Sequence, residues 1–188
     1  MANINHNTLT DPYLHEPKGA STAASGDVYI ADGAGSGDWK QLHNYVNGFI
    51  TFDSTTPAYT HAVTTSFTAI NPTFSISVAD GWTGLSSPNA RLKYTGAEDV
   101  IGSINFSVNF KNASGTSRDV EMIFYKNGTP LNGGHLITTA VSGEWKAVSL
   151  VDIGEFSTDD YLEIFVKGSA SFSLLIASAS LTVLGMPV

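Results

Sequence analysis

Between residues 104 and 111 the chain reads Ile-Asn-Phe-Ser-Val-Asn-Phe-Lys, apolar and polar in strict turn. A period of two belongs to a strand with one dry and one wet face, whereas a helix repeats every 3.6 residues. The same alternation returns at Val63, Thr65, Phe67 and Ala69; at Phe74, Ile76 and Val78; at Val120, Met122 and Phe124; and at Trp145, Ala147 and Ser149. It returns again at Leu162, Ile164 and Val166 and at Phe172, Leu174 and Ile176, before Leu181-Thr182-Val183-Leu184 closes the chain. Turn residues punctuate these runs: Asp53-Ser54, Asn71-Pro72, Asp80-Gly81, Thr95-Gly96, Asn112-Ala113-Ser114-Gly115, Asn127-Gly128 and Lys167-Gly168. Short strands with turns at intervals of about 8–12 residues predict an antiparallel sandwich or barrel. Asn127-Gly128 predicts a two-residue hairpin turn, because both residues tolerate positive φ. No window reads as a capped amphipathic helix. Residues 82–89 read as a Gly/Ser/Pro loop, and residues 152–160 as the one place for a helical turn.

Two strands carry apolar groups on both faces. Ile123 and Tyr125 stand opposite Val120, Met122 and Phe124, and Tyr161 and Phe165 stand opposite Leu162, Ile164 and Val166. A sandwich strand ordinarily has one dry face. The pattern predicts that the second face is covered by a neighbouring subunit, with Ile123, Tyr125, Tyr161 and Phe165 at that contact.

The first 45 residues differ in kind. Pro12 and Pro17 hold extended geometry around Tyr13-Leu14-His15-Glu16, and a Gly/Ser/Ala-rich stretch follows. No period is long enough for a fold, yet Tyr13, Leu14, Val28, Tyr29, Ile30 and Trp39 are poor residues for a free linker. The expectation is an extended arm at 1–45 that gains order on another surface, and a knob at 46–188. Tyr13, Leu14, His15, Glu16, Pro17, Val28, Tyr29, Ile30 and Trp39 are its candidate partner contacts.

The 188 residues carry a net charge of −8, which argues against phosphate-backbone binding. There is no cysteine, hence no disulfide or thiol chemistry. The amino terminus lacks a basic region followed by an apolar core, and no apolar run approaches the ~20 residues that span a bilayer. Neither a secretory signal nor a membrane span is expected.

No catalytic, cofactor or metal site is expected. His6, His15, His43, His61 and His135 do not pair at ligand spacing. The glycines around Ser36 lack the Lys-Ser/Thr of a phosphate loop. Asp27, Asp32, Asp38, Asp159 and Asp160 do not follow a calcium-loop spacing. Nothing places a second acid across a cleft from Glu98 and Asp99. Trp82 and Tyr59, on loop-like segments, are candidates for stacking on a sugar ring.

The order of features from Tyr94-Thr95-Gly96 through the 104–110 strand, Phe124-Tyr125-Lys126-Asn127-Gly128, Val148-Ser149-Leu150, residues 159–166, Ser171-Phe172-Ser173-Leu174 and the final Leu181–Leu184 strand resembles the tumour-necrosis-factor-like jelly roll over about 46–188. Asp159-Asp160 stands where that family usually has Gly-Asp. The resemblance implies a homotrimer with Tyr125, Tyr161 and Phe165 near its axis. The arm, with Tyr13–Gly19, Val28–Gly33 and Gly35-Ser36-Gly37-Asp38-Trp39, is similar to amino-terminal segments of structural proteins in tailed bacteriophages. That implies a non-enzymatic capsid decoration or head-fibre protein, assembled in the bacterial cytoplasm and displayed on the virion, with a major capsid protein or another virion protein as partner. The alternative implied is a tail-fibre tip that recognises a host glycan.

Overall fold

The computed structural model describes residues 23–24, 27–31, 37–41, 45–53, 58–86 and 90–188. The chain divides into two units, the first ending at Asn44 and the second running from Tyr45 to Val188.

In the first unit, β1 (Asp27–Ala31) and β2 (Gly37–Gln41) form an antiparallel pair in which Tyr29 stands across from Trp39. The two rings meet edge to face with centroids 5.5 Å apart, a favoured aromatic geometry. The segment expected as an extended arm thus holds a short paired element of its own. The alternation over five residues is too short to stand out, and the cross-strand pairing of two aromatics supplies what local period does not.

The second unit is all β. Its strands are β3 (Val46–Asp53), β4 (Tyr59–Val63), β5 (Thr68–Ala69), β6 (Ser75–Asp80), β7 (Trp82–Leu85), β8 (Arg91–Tyr94), β9 (Val100–Asn112), β10 (Arg118–Lys126), β11 (Thr129–Ala140), β12 (Lys146–Phe156), β13 (Tyr161–Gly168) and β14 (Phe172–Pro187). They form two six-stranded antiparallel sheets. Sheet I has the order β12-β9-β14-β3-β6 with β4 on the first half of β14, and sheet II has the order β11-β10-β13-β8-β7 with β5 on β13. From β8 onward the chain passes between sheets at β8 to β9, β9 to β10, β11 to β12, β12 to β13 and β13 to β14, which gives an antiparallel jelly-roll sandwich. Asn127 and Gly128 take φ of 52° and 76° at the β10–β11 hairpin, as the dipeptide predicts.

The core fills the space between the sheets. β9 supplies Ile104, Phe106, Val108 and Phe110, β10 supplies Val120, Met122 and Phe124, and β13 supplies Leu162, Ile164 and Val166, all buried. Phe110 and Phe124 are among the largest fully buried side chains. Each such residue contributes about 1.5–3 kcal/mol through apolar burial.

Several local expectations change. The strand expected across residues 62–69 splits at residues 64–67, so β4 joins sheet I and β5 sheet II. The loop expected at 82–89 begins as strand β7, paired with β8 from Trp82↔Tyr94 to Leu85↔Arg91. Of the helical turn expected at 152–160, residues 152–156 are instead the second half of β12, which pairs with β9 as far as Phe156↔Val100, and residues 157–160 form a tight turn in which Asp160 N–H donates to Ser157 O at 3.0 Å. Asp152 stays in the strand and its Oδ2 accepts a hydrogen bond from Gly134 N on β11 at 2.8 Å.

β14 is a 16-residue strand with a change of phase. Ile176 pairs with Phe110 and Ser178 with Asn109, so Ala177 is an extra residue in the ladder. Phe172, Leu174 and Ile176 point inward before this bulge; Leu181 and Val183 point inward after it. A bulge of one residue exchanges the two faces of everything that follows.

Candidate functional site

The knob offers two outer sheet faces, and they are built differently. On sheet II the outward positions of β10 and β13 carry Glu121, Ile123, Tyr125, Tyr161, Glu163, Phe165 and Lys167. Ile123, Tyr125, Tyr161 and Phe165, the expected subunit contacts, are half-buried within one subunit. Tyr125 stacks on Phe165 with centroids 3.9 Å apart and planes inclined by 20°. Phe67 lies 6.0 Å from Tyr125, and Lys167 Nζ sits 4.4 Å from the centre of the Phe67 ring. The Arg91 guanidinium covers Tyr161 at 4.4 Å. Glu163 points outward yet is buried, with Arg91 Nε 3.9 Å from its Oε1.

Glu121 completes the mesh. Its Oε1 pairs with His135 Nε2 at 2.6 Å and its Oε2 with Lys167 Nζ at 2.8 Å. Burial pushes this carboxyl upward, but hydrogen bonds from Lys167 and His135 and their charges outweigh it and hold the group below the usual carboxylate range. The aromatic residues on this face therefore have partners within the same chain: Phe67 and Phe165 against Tyr125, Lys167 over Phe67 and Arg91 over Tyr161.

Among the described residues, the outer face of sheet I has no comparable cover. The register aligns its outward residues in rows across β12, β9 and β14. One row is Glu155, Ile101 and Met186; the next is Ile153, Ser103 and Leu184; then Val151, Asn105 and Thr182. Ile153 is 70% exposed, Val151 57%, Met186 54%, Leu184 50% and Ile101 40%. The following row is Ser149, Ser107, Ser180 and, on β3, Thr51. Ser107 Oγ lies 2.9 Å from Ser149 Oγ and donates to Asn105 Oδ1 at 3.2 Å. A shallow trough runs over Ser107, Ser149, Ser178 and Ser180. This face was missed in the sequence because the strand holding Val151 and Ile153 was ended at Leu150, and the phase change in β14 hid the direction of Leu184 and Met186. The signal available was Leu150-Val151-Asp152-Ile153, which continues the alternation.

The remaining expected residues are dispersed. Trp82 is 3% exposed, with its ring 5.0 Å from Tyr94 and 5.0 Å from Phe156. Gly48 of β3 makes room for it, since a Cβ there would lie 2.8 Å from the Trp82 side chain. Trp82 thus belongs to the core and has no free ring face for a sugar, which corrects its assignment as a glycan contact. Tyr59 is half-buried; its hydroxyl accepts Asn71 N–H at 3.0 Å and lies 3.4 Å from His61 Nδ1. His61 is buried, with Nε2 2.9 Å from Thr68 Oγ1, and burial lowers its pKa.

Of the arm contacts, Val28, Tyr29, Ile30 and Trp39 fall on the β1–β2 hairpin, with Ile30 47% exposed. Tyr13, Leu14, His15, Glu16 and Pro17 lie outside the described residues. Among the described residues no group of three His, Asp or Glu gathers as metal ligands.

No family model and no curated protein match the chain. Among solved structures it is similar to Eiger TNF from S. frugiperda (9% identity, 74% of this chain and 91% of that one, TM-score 0.47). It is similar also to murine APRIL (11%, 75% and 98%, TM-score 0.44) and to the PRD1 vertex protein P5 (11%, 76% and 96%, TM-score 0.47). Identities of 9–11% make these likenesses of fold alone.

Proposed function

We propose that this chain is a non-enzymatic structural protein of a virus particle, a trimeric jelly-roll knob fastened to a tailed-phage capsid by its amino-terminal segment. The observation that carries the reading is the division at Asn44, which sets apart from the knob a segment that nonetheless bears Tyr13, Tyr29 and Trp39. Its described portion is a two-stranded hairpin of five-residue strands. An isolated hairpin of that size is marginally stable at best. Tyr13, Leu14, Tyr29, Ile30 and Trp39 supply the apolar surface that a partner would cover, by strand addition or by filling a groove on a major capsid protein. Three such segments on one trimer make the second and third docking steps intramolecular, so weak individual contacts add to firm attachment.

Deletion of residues 1–40 tests the reading. Particle incorporation is expected to fall at least about tenfold while the knob keeps its fold, as avidity is lost with the arms. Undiminished incorporation would refute the anchoring role.

A further inference from the structure

Resting on the trimer reading, we infer that copies of this chain meet through the outer face of sheet I, with Ile101, Val151, Ile153, Leu184 and Met186 as the apolar patch of the contact. These five residues occupy adjacent positions on three neighbouring strands and are 40–70% exposed. Scattered surface aliphatics are ordinary, but a contiguous patch of them marks an interaction surface.

Charge identifies the occupant as a second copy. The chain carries −8 overall, so like-charged copies repel unless they approach through neutral ground. The outward positions of β12, β9, β14 and β3 supply it: charge appears only at the corners, on Glu155, Asp53 and Lys111. The remainder is aliphatic, hydroxyl or amide. The outer face of sheet II is the opposite case. Docking there would bury Glu121, Lys167, Glu163 and Arg91, whose ionised groups are already paired within the subunit. Taking such groups further from water opposes association, because each ion loses hydration that its partner only partly replaces.

Area agrees. β12 is 11 residues long, and four strands at about 4.8 Å spacing make a face of roughly 700 Å², close to the ~800 Å² per partner of a standard stable interface. The hydroxyl row of Ser149, Ser107, Ser180 and Thr51 borders the aliphatic patch on one side and has the composition of polar interface ground that pairs by hydrogen bonds.

Sedimentation equilibrium of the full chain across the micromolar range tests the inference. The wild type is expected at a multiple of 19.9 kDa, and Ile153→Asp at least about 100-fold weaker in association, with its thermal transition retained. Leu184→Gln, a milder change on β14, is expected to weaken association about tenfold and decides the matter should Ile153→Asp fail to fold. Wild-type oligomers that both folded variants leave intact would overturn this inference and leave the trimer reading standing. A monomeric wild type would overturn both. Variants that assemble normally yet fail to enter particles would assign the face to another virion protein, and so overturn it too.

Discussion

The two outer faces of the sandwich begin from the same local pattern and end differently. Sheet II presents aromatics and charges together: the Tyr125–Phe165 stack, Phe67 under Lys167, Tyr161 under Arg91, and Glu121 shared by His135 and Lys167. Sheet I presents aliphatics, serines and asparagines with almost no charge. Long cationic side chains can fold back over aromatic rings and cover their own face, using the stem for apolar contact and the head for cation–π attraction and ion pairing. Short aliphatic and hydroxyl side chains cannot. A face whose apolar groups are already covered has less to gain from a partner than a face whose aliphatics stand open to solvent.

Loss of Arg91 is the severest test of that difference. Arg91→Met leaves the buried Glu163 carboxylate without its guanidinium and is expected to cost about 3 kcal/mol of subunit stability. Urea unfolding at several protein concentrations separates this from any effect on assembly. Dissociation of the oligomer at unchanged subunit stability would break the comparison.

Phe165→Ala comes next. It removes one ring of the stack, and about 2 kcal/mol of subunit stability should go with it, since the site is half-buried rather than sealed. Its sedimentation should match the wild type. Should it match Ile153→Asp instead, sheet II is the contact.

The smallest effect is in acid. Glu121 is held below its ordinary value of 4.5, so the folded state binds its proton less readily than the unfolded chain does. The stabilisation is complete above about pH 4.5 and is lost as pH falls through the folded value. Glu121→Gln should flatten that part of the curve of melting temperature against pH. An unchanged slope would mean that the His135–Glu121–Lys167 group is not what holds this face together.

Much of the architecture was legible in the chain. The alternation at residues 104–111, the Asn127-Gly128 turn and the inward set of β10 and β13 are local facts, because a side chain's face follows from its parity within a strand. The double-sided pattern at Ile123, Tyr125, Tyr161 and Phe165 was legible too, but not what covers it. Phe67 and Arg91 reach that face from segments distant in sequence, and only the closing of the sheets brings them there. Trp82 misled for the same reason. Its neighbours in sequence are those of a loop, while Gly48, Tyr94 and Phe156, which enclose it, come from three other strands.

Sequence alone determined that this chain is a β-sandwich, since periods of two broken by turn residues admit no helical layer. It determined also that the first 45 residues lie outside the alternating pattern. Tertiary structure decided which aliphatics face solvent. The extra residue at Ala177 turns the second half of β14 over, sending Leu184 and Met186 outward beside Ile101, Val151 and Ile153. Parity is a local property, but where a bulge resets it depends on the ladder with β9, whose partners lie some seventy residues away in the chain.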